Sequence, residues 1–143
     1  MTSLLPHELT HIIFREFVGF SSNIPLWLDE GIACYYEEGK KRWREDLMRE
    51  VVNEMIYIPL NVLTEMDVRY MMDLRIVELF YAQSASIVGY MIRKHGSYRF
   101  TLFCRQLRDG KALNEALSFT YPGTCRNVEK LERLWCEYIL SRK

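Results

Sequence analysis

The sequence contains no apolar run near the roughly 18 residues needed to cross a bilayer, so no membrane span is expected. It carries no surplus of charge: 19 Lys and Arg stand against 19 Asp and Glu. That removes the basic footprint of a nucleic-acid binder. Its first residues, Met1-Thr2-Ser3-Leu4-Leu5-Pro6, lack the charged and apolar regions of a signal peptide. The four cysteines, Cys34, Cys104, Cys125 and Cys136, form no Cys-x-x-Cys pair and could join in three ways. A chain of 143 residues buries roughly 68–70% of its unfolded surface and needs no disulfide staples. The cysteines are therefore expected as buried thiols, which leaves the compartment open. What remains is an ordinary balance, 49% hydrophobic and 27% charged, which argues against disorder or a fibrous repeat. These features predict one soluble globular domain over residues 1–143.

The apolar periodicity is helical nearly throughout, and no strand, repeat or low-complexity linker stands out. Residues 4–18 are apolar on most sides, as in a helix buried within its domain. Ser3 can cap it, Pro6 falls in its first turn, and Gly19 ends it. A second helix is predicted from Pro25 to about Glu38, with Gly39 as its stop. The stretch Lys41 to Ile56 is amphipathic, with Trp43, Leu47, Val51 and Met55 on one face. Its basic cluster Lys40-Lys41-Arg42-Arg44 is followed at once by Glu45, Asp46 and Glu50, which predicts a solvated face. Residues 57–73 read as a long connection with a short helical piece, of the kind that lines clefts. Further helices are expected over 74–94, closed by His95-Gly96, then 98–108, 112–119 and 128–140. Trp27, Trp43, Trp135 and the methionines at helical spacing are core by default.

His7-Glu8-Leu9-Thr10-His11 falls on the first of these helices and forms His-Glu-x-x-His. Histidines at i and i+4 project from one helix face, so both imidazoles can reach one Zn²⁺. Glu8 lies about 100° around the helix, beside the metal, where a carboxylate can take a proton from water. A third ligand is needed. Glu30 follows His11 after eighteen intervening residues, in Trp27-Leu28-Asp29-Glu30-Gly31-Ile32-Ala33. A turn at Gly19 to Ile24 lets the second helix fold back antiparallel to the first and face Glu30 toward the histidines. Two histidines, a glutamate and an open fourth position make a catalytic rather than a closed structural zinc site.

These residues resemble the gluzincin zinc metallopeptidases, the clan of thermolysin and aminopeptidase N, and most closely the peptidase-MA-like domains. The resemblance takes in Leu5-Pro6-His7-Glu8-Leu9-Thr10-His11, Ile24-Pro25-Leu26-Trp27-Leu28-Asp29-Glu30-Gly31 and Tyr81-Ala82-Gln83-Ser84. It continues through His95-Gly96, Leu107-Arg108-Asp109-Gly110 and the Leu131–Trp135–Tyr138 stretch, and so covers nearly the whole chain. It implies His7, His11 and Glu30 as zinc ligands, Glu8 as general base, and a peptide or protein substrate. It also implies Tyr81 as the hydroxyl that hydrogen-bonds the oxyanion, although the Lys-Gly that commonly follows that tyrosine is Gln83-Ser84 here. Gluzincins place a β-sheet before the active-site helix, whereas His7 falls almost at the start of this sequence. The expected fold is therefore mainly α, a helical zincin-like subdomain without that sheet, and a minimal or truncated member.

Other residues near the motif have plainer readings. Cys34, one turn past Glu30, is expected in the core rather than as a fourth ligand. Asp29 is one of several groups that could orient a ligand histidine. His95 sits at a helix C-terminus, where a cation suits the dipole, rather than acting as a second oxyanion donor. A different class of function is also consistent with the pattern: a non-catalytic helical module clamped by zinc, whose sheet-free face binds a partner or a second copy.

Overall fold

Asp73 accepts hydrogen bonds from the backbone N–H groups of Arg75 and Ile76, and in the computed structural model this cap starts Leu74–His95, the longest helix among the described residues. The structure describes residues 24–37 and 41–142. Within them lie seven α-helices and no strand. In chain order they are α1 (Leu26–Tyr35), α2 (Lys41–Asn53), α3 (Leu60–Glu65), α4 (Leu74–His95), α5 (Ser97–Arg108), α6 (Leu113–Thr120) and α7 (Val128–Ser141). A single 3-10 turn, Val68–Tyr70, stands between α3 and α4. The mainly α expectation holds. The helix expected over residues 4–18, with its motif, lies outside the described residues.

Helix α4 is the axis of the domain: α1, α2, α5 and α7 all pack on it, α1 most extensively. Its buried stretch from Phe80 to Met91 is rich in small residues, among them Ala82, Ser84, Ala85 and Gly89. At Gly31 the two backbones touch: a Cβ there would lie 2.7 Å from the Ser84 carbonyl oxygen and 2.9 Å from Val88 Cγ2. One turn further on, the Tyr35 ring lies over Gly89, where a Cβ would sit 3.0 Å from it. The contacts advance together along both helices, so α1 and α4 run in the same direction. Around this pair, Trp27, Leu28, Met48, Phe80, Ile87, Phe103 and Trp135 are fully buried.

Helix α3 is short, and its first turn is capped from far along the chain. The Leu60 backbone N–H donates to Glu132 Oε1 at 2.6 Å, and the Tyr57 hydroxyl donates to Glu132 Oε2 at 3.1 Å. Thr64 closes the same helix by donating to the Leu60 carbonyl at 2.8 Å and accepting from Trp27 Nε1 at 3.3 Å. Trp135 of α7 donates from its indole to Ser86 of α4 at 2.9 Å. Each buried indole thus has its polar partner.

Several sequence expectations are corrected here. The buried face of α2 is Arg44, Met48, Val51 and Val52, not the Trp43–Leu47–Val51–Met55 stripe. Trp43 is half exposed, and Met55 falls beyond the helix with a left-handed φ of 58°, out in solvent. Both stripes share Val51, and the helix is rotated so that Met48 rather than Leu47 fills the core. Met72 is likewise exposed rather than core. Helix α1 ends at Tyr35, short of Glu38. Cys104 and Cys125 are buried thiols pushed up to about 12 and about 11 by burial, and Cys136 is half buried.

Gly31→Ala should destabilise the domain by about 1–3 kcal/mol, because the new methyl group meets rigid backbone rather than a side chain that can turn away. Urea denaturation of the two proteins checks this.

Candidate metallopeptidase site

Glu30 lies in the middle of α1, and its carboxylate is buried, the residue being only 9% exposed. The helix cannot shift it outward, since Gly31, the next residue, is in contact with the backbone of α4. Tyr81 lies on the same stretch of α4 and faces it. Burial, then the Glu30 charge, then Cys34 push the Tyr81 hydroxyl up to about 12, which places the Glu30 carboxylate close to it. The phenol therefore remains a donor across the whole physiological range. Its ring meets Phe80 edge-on at 5.7 Å and packs on the core.

The connection between α3 and α4 comes up to the same place. Asp67 grips Arg69 through three hydrogen bonds, from the backbone N–H at 3.1 Å and from Nε and Nη2 at 2.9 and 2.6 Å. These bonds hold the Asp67 carboxyl down to about 2. The Arg69 guanidinium is raised mainly by Asp67 and also feels the Glu30 carboxylate. Beyond it Tyr70, Met72 and Leu74 turn large apolar surfaces to solvent, Met72 being 92% exposed. The Asp67–Arg69 pair was not singled out from sequence; its Asp-x-Arg spacing was the available signal.

Gln83 and Ser84, where the resemblance leads one to expect Lys-Gly, have structural roles. Gln83 is fully buried and clamps the backbone of Ile58 from both sides, accepting from its N–H at 2.9 Å and donating to its carbonyl at 2.6 Å. Ser84 donates to the Phe80 carbonyl at 2.6 Å and supplies the carbonyl on which Gly31 rests. The two residues after Ala82 therefore fix the incoming loop and the α1 contact.

His95 is corrected in its charge. Its ring lies between Tyr90 and Tyr121, 3.3 Å from the Tyr90 hydroxyl. Burial first, then the charges of Lys94 and Arg99, hold its imidazole below the usual histidine range. It lies roughly 21 Å along α4 from Tyr81 and is a packing residue, not an oxyanion donor. Cys34 is buried, as expected for a core position. Arg44 is the other correction: rather than forming part of a solvated basic face, it is 6% exposed.

Glu30 and Tyr81 are thus brought together, while His7, Glu8 and His11 lie outside the described residues. Among the described residues, no three of His, Cys, Asp and Glu gather to hold a metal ion. No described helix is long and apolar enough to cross a membrane. Over residues 2–141 the sequence matches the family described as the Peptidase MA superfamily. Neither a curated protein nor a solved structure matches it.

Gln83→Leu should cost about 2 kcal/mol, since it leaves both polar groups of the Ile58 backbone without their side-chain partner. Hydrogen exchange should show the Ile58 amide losing protection while the amides of α5 keep theirs.

Proposed function

The chain belongs to the Peptidase MA superfamily, and we propose that it is a zinc-dependent metallopeptidase of the gluzincin type acting on a peptide or protein substrate. The observation that carries this reading is the proximity of Glu30 and Tyr81, two residues distant in sequence that the family resemblance assigns to one site. His7, His11 and Glu30 would hold the ion. The donor chemistry fits, because two imidazoles and a carboxylate suit zinc. Glu30 is also buried on a helix that cannot drift.

When bound, zinc supplies Lewis acidity to the scissile carbonyl and to a water at its open position. Glu8, next to the first ligand in sequence, accepts the proton of the attacking water and returns it to the departing nitrogen. The Tyr81 hydroxyl, protonated up to about pH 12, donates a hydrogen bond to the oxyanion that develops on the former carbonyl. The exposed apolar residues Tyr70 and Met72, on the connection whose Arg69 feels Glu30, and Leu74 at the start of α4 supply surface for substrate side chains beside that point.

Elemental analysis and peptide hydrolysis test the assignment together. Wild-type protein should carry about one zinc per chain, and His11→Ala should lose it. Glu8→Gln should keep the zinc and lose about 10²–10⁴-fold in turnover. Tyr81→Phe should keep the zinc and lose hundreds-fold, the equivalent of one oxyanion donor worth about 2.7–4 kcal/mol. Full activity in Glu8→Gln would sink the mechanism. Zinc retained in an inactive protein that unfolds on chelation would favour the non-catalytic zinc-clamped module instead.

A further inference from the structure

At the C-terminal end of α1, beside Tyr35, three arginines from separate segments line one recess. Arg44 of α2, Arg93 of α4 and Arg142, just past the end of α7, line a small, shallow recess open to solvent. Its floor is made by small residues of α4, Ala85 and Gly89 among them. The recess lies about 12 Å along α4 from Tyr81, taking Gly89 as its level.

The charges do not balance. One lining carboxylate, Glu45, serves two of the arginines, and at long range: 3.5 Å to Arg93 and 3.7 Å to Arg142. Arg44 gives a single hydrogen bond to the described residues, a 3.4 Å contact from Nη1 to the Cys34 carbonyl at the end of α1. Glu37, also buried, is the weakest of the charges acting on it. Among the described residues, three guanidiniums thus line the recess with one carboxylate, Glu45. Burial, and the like charge of Arg93, hold Arg44 below the usual arginine range while the neighbouring acidic groups work the other way. Concentrating cations in a partly buried site is unfavourable unless an anion shares it. Arg93 and Arg142 are further held in place against tyrosines: Arg93 lies 5.7 Å from the Tyr35 ring centre, and Arg142 donates to the Tyr138 hydroxyl at 3.1 Å.

We infer that this recess is an anion-binding site for a phosphate-class oxyanion, held by the guanidinium groups of Arg44, Arg93 and Arg142. One planar fork matches a carboxylate, whereas forks arriving from three separate segments match an ion that offers acceptors in several directions. The recess is small and open, so it suits one inorganic ion or phosphoryl group held at its mouth and partly in solvent, not a drug-sized ligand. The site is independent of the zinc assignment.

Isothermal titration of the full chain with inorganic phosphate tests the proposal, with chloride at matched ionic strength as control. One phosphate should bind per chain and raise the unfolding temperature by about 4 °C at ten times its dissociation constant. Arg93→Gln and Arg142→Gln should each weaken binding at least tenfold; Arg142, at the exposed edge, keeps the test valid if the first variant folds poorly. Glu45→Gln should tighten phosphate binding several-fold, because it removes the competing carboxylate. In a merely structural ion network the same substitution would only lower stability. Phosphoserine, run in parallel, binds as well as phosphate if the site takes a phosphoryl group on a larger molecule, and more weakly if it takes the free ion. Equal effects of phosphate and chloride, or unchanged binding in Arg142→Gln, would overturn the proposal.

Discussion

Backbone contact between α1 and α4 is the constraint on which the other features rest. A helix pair separated by ordinary side chains leaves room for adjustment, with axes 8–10 Å apart. Gly31 against the Ser84 carbonyl leaves little room, and Tyr35 over Gly89 repeats the restriction one turn later. Two contacts in register fix rotation and translation of α1 together. The position of Glu30 relative to Tyr81 is therefore set by packing of the scaffold, not by an attraction between the two polar groups. That is the arrangement a site needs if it must hold its geometry before any ligand arrives.

The polar residues of the interior divide by what they hold. Glu132 and Gln83 have both functional atoms engaged and use them to fasten backbone, Glu132 at Tyr57 and Leu60, Gln83 at Ile58. Between them they tie down the segment that leads into α3 and then toward Arg69. Arg44 is buried with little to hold, one long bond to a helix-end carbonyl. The contrast between fully used and sparsely used buried groups separates scaffold from candidate binding surface more clearly than burial does.

Helices α4 to α7 were legible in the sequence through sustained apolar periodicity and through Gly96 as a stop; the structure adds Asp73 and Asn127 as the side-chain caps of α4 and α7. The pairing of Glu30 with Tyr81 was legible only through family resemblance, since nothing local in either segment points to the other. The rotation of α2 was not legible. Trp43 and Met55 make as convincing a stripe as Met48, and which stripe is buried depends on neighbours that the sequence of α2 does not contain. Arg44 was misread for a related reason. A basic run followed by acidic residues resembles a solvated face until tertiary packing places one member beneath another helix. The roles of Gln83 and Glu132 depend on contacts with partners 25 and 72 residues away, beyond the reach of any local pattern.

The Glu132 contact bears on the order in which the molecule is assembled. The residues that begin α3 are fastened from α7, so this segment takes its place only after α7 has docked. A nascent chain would carry the His-Glu-x-x-His motif and Glu30 long before Glu132 had been synthesised, and domains generally fold as units during translation. On the proposed reading, a site completed in this order stays unfinished while the chain is still being made. The motif comes early in the chain, and the residue that fastens α3 comes late.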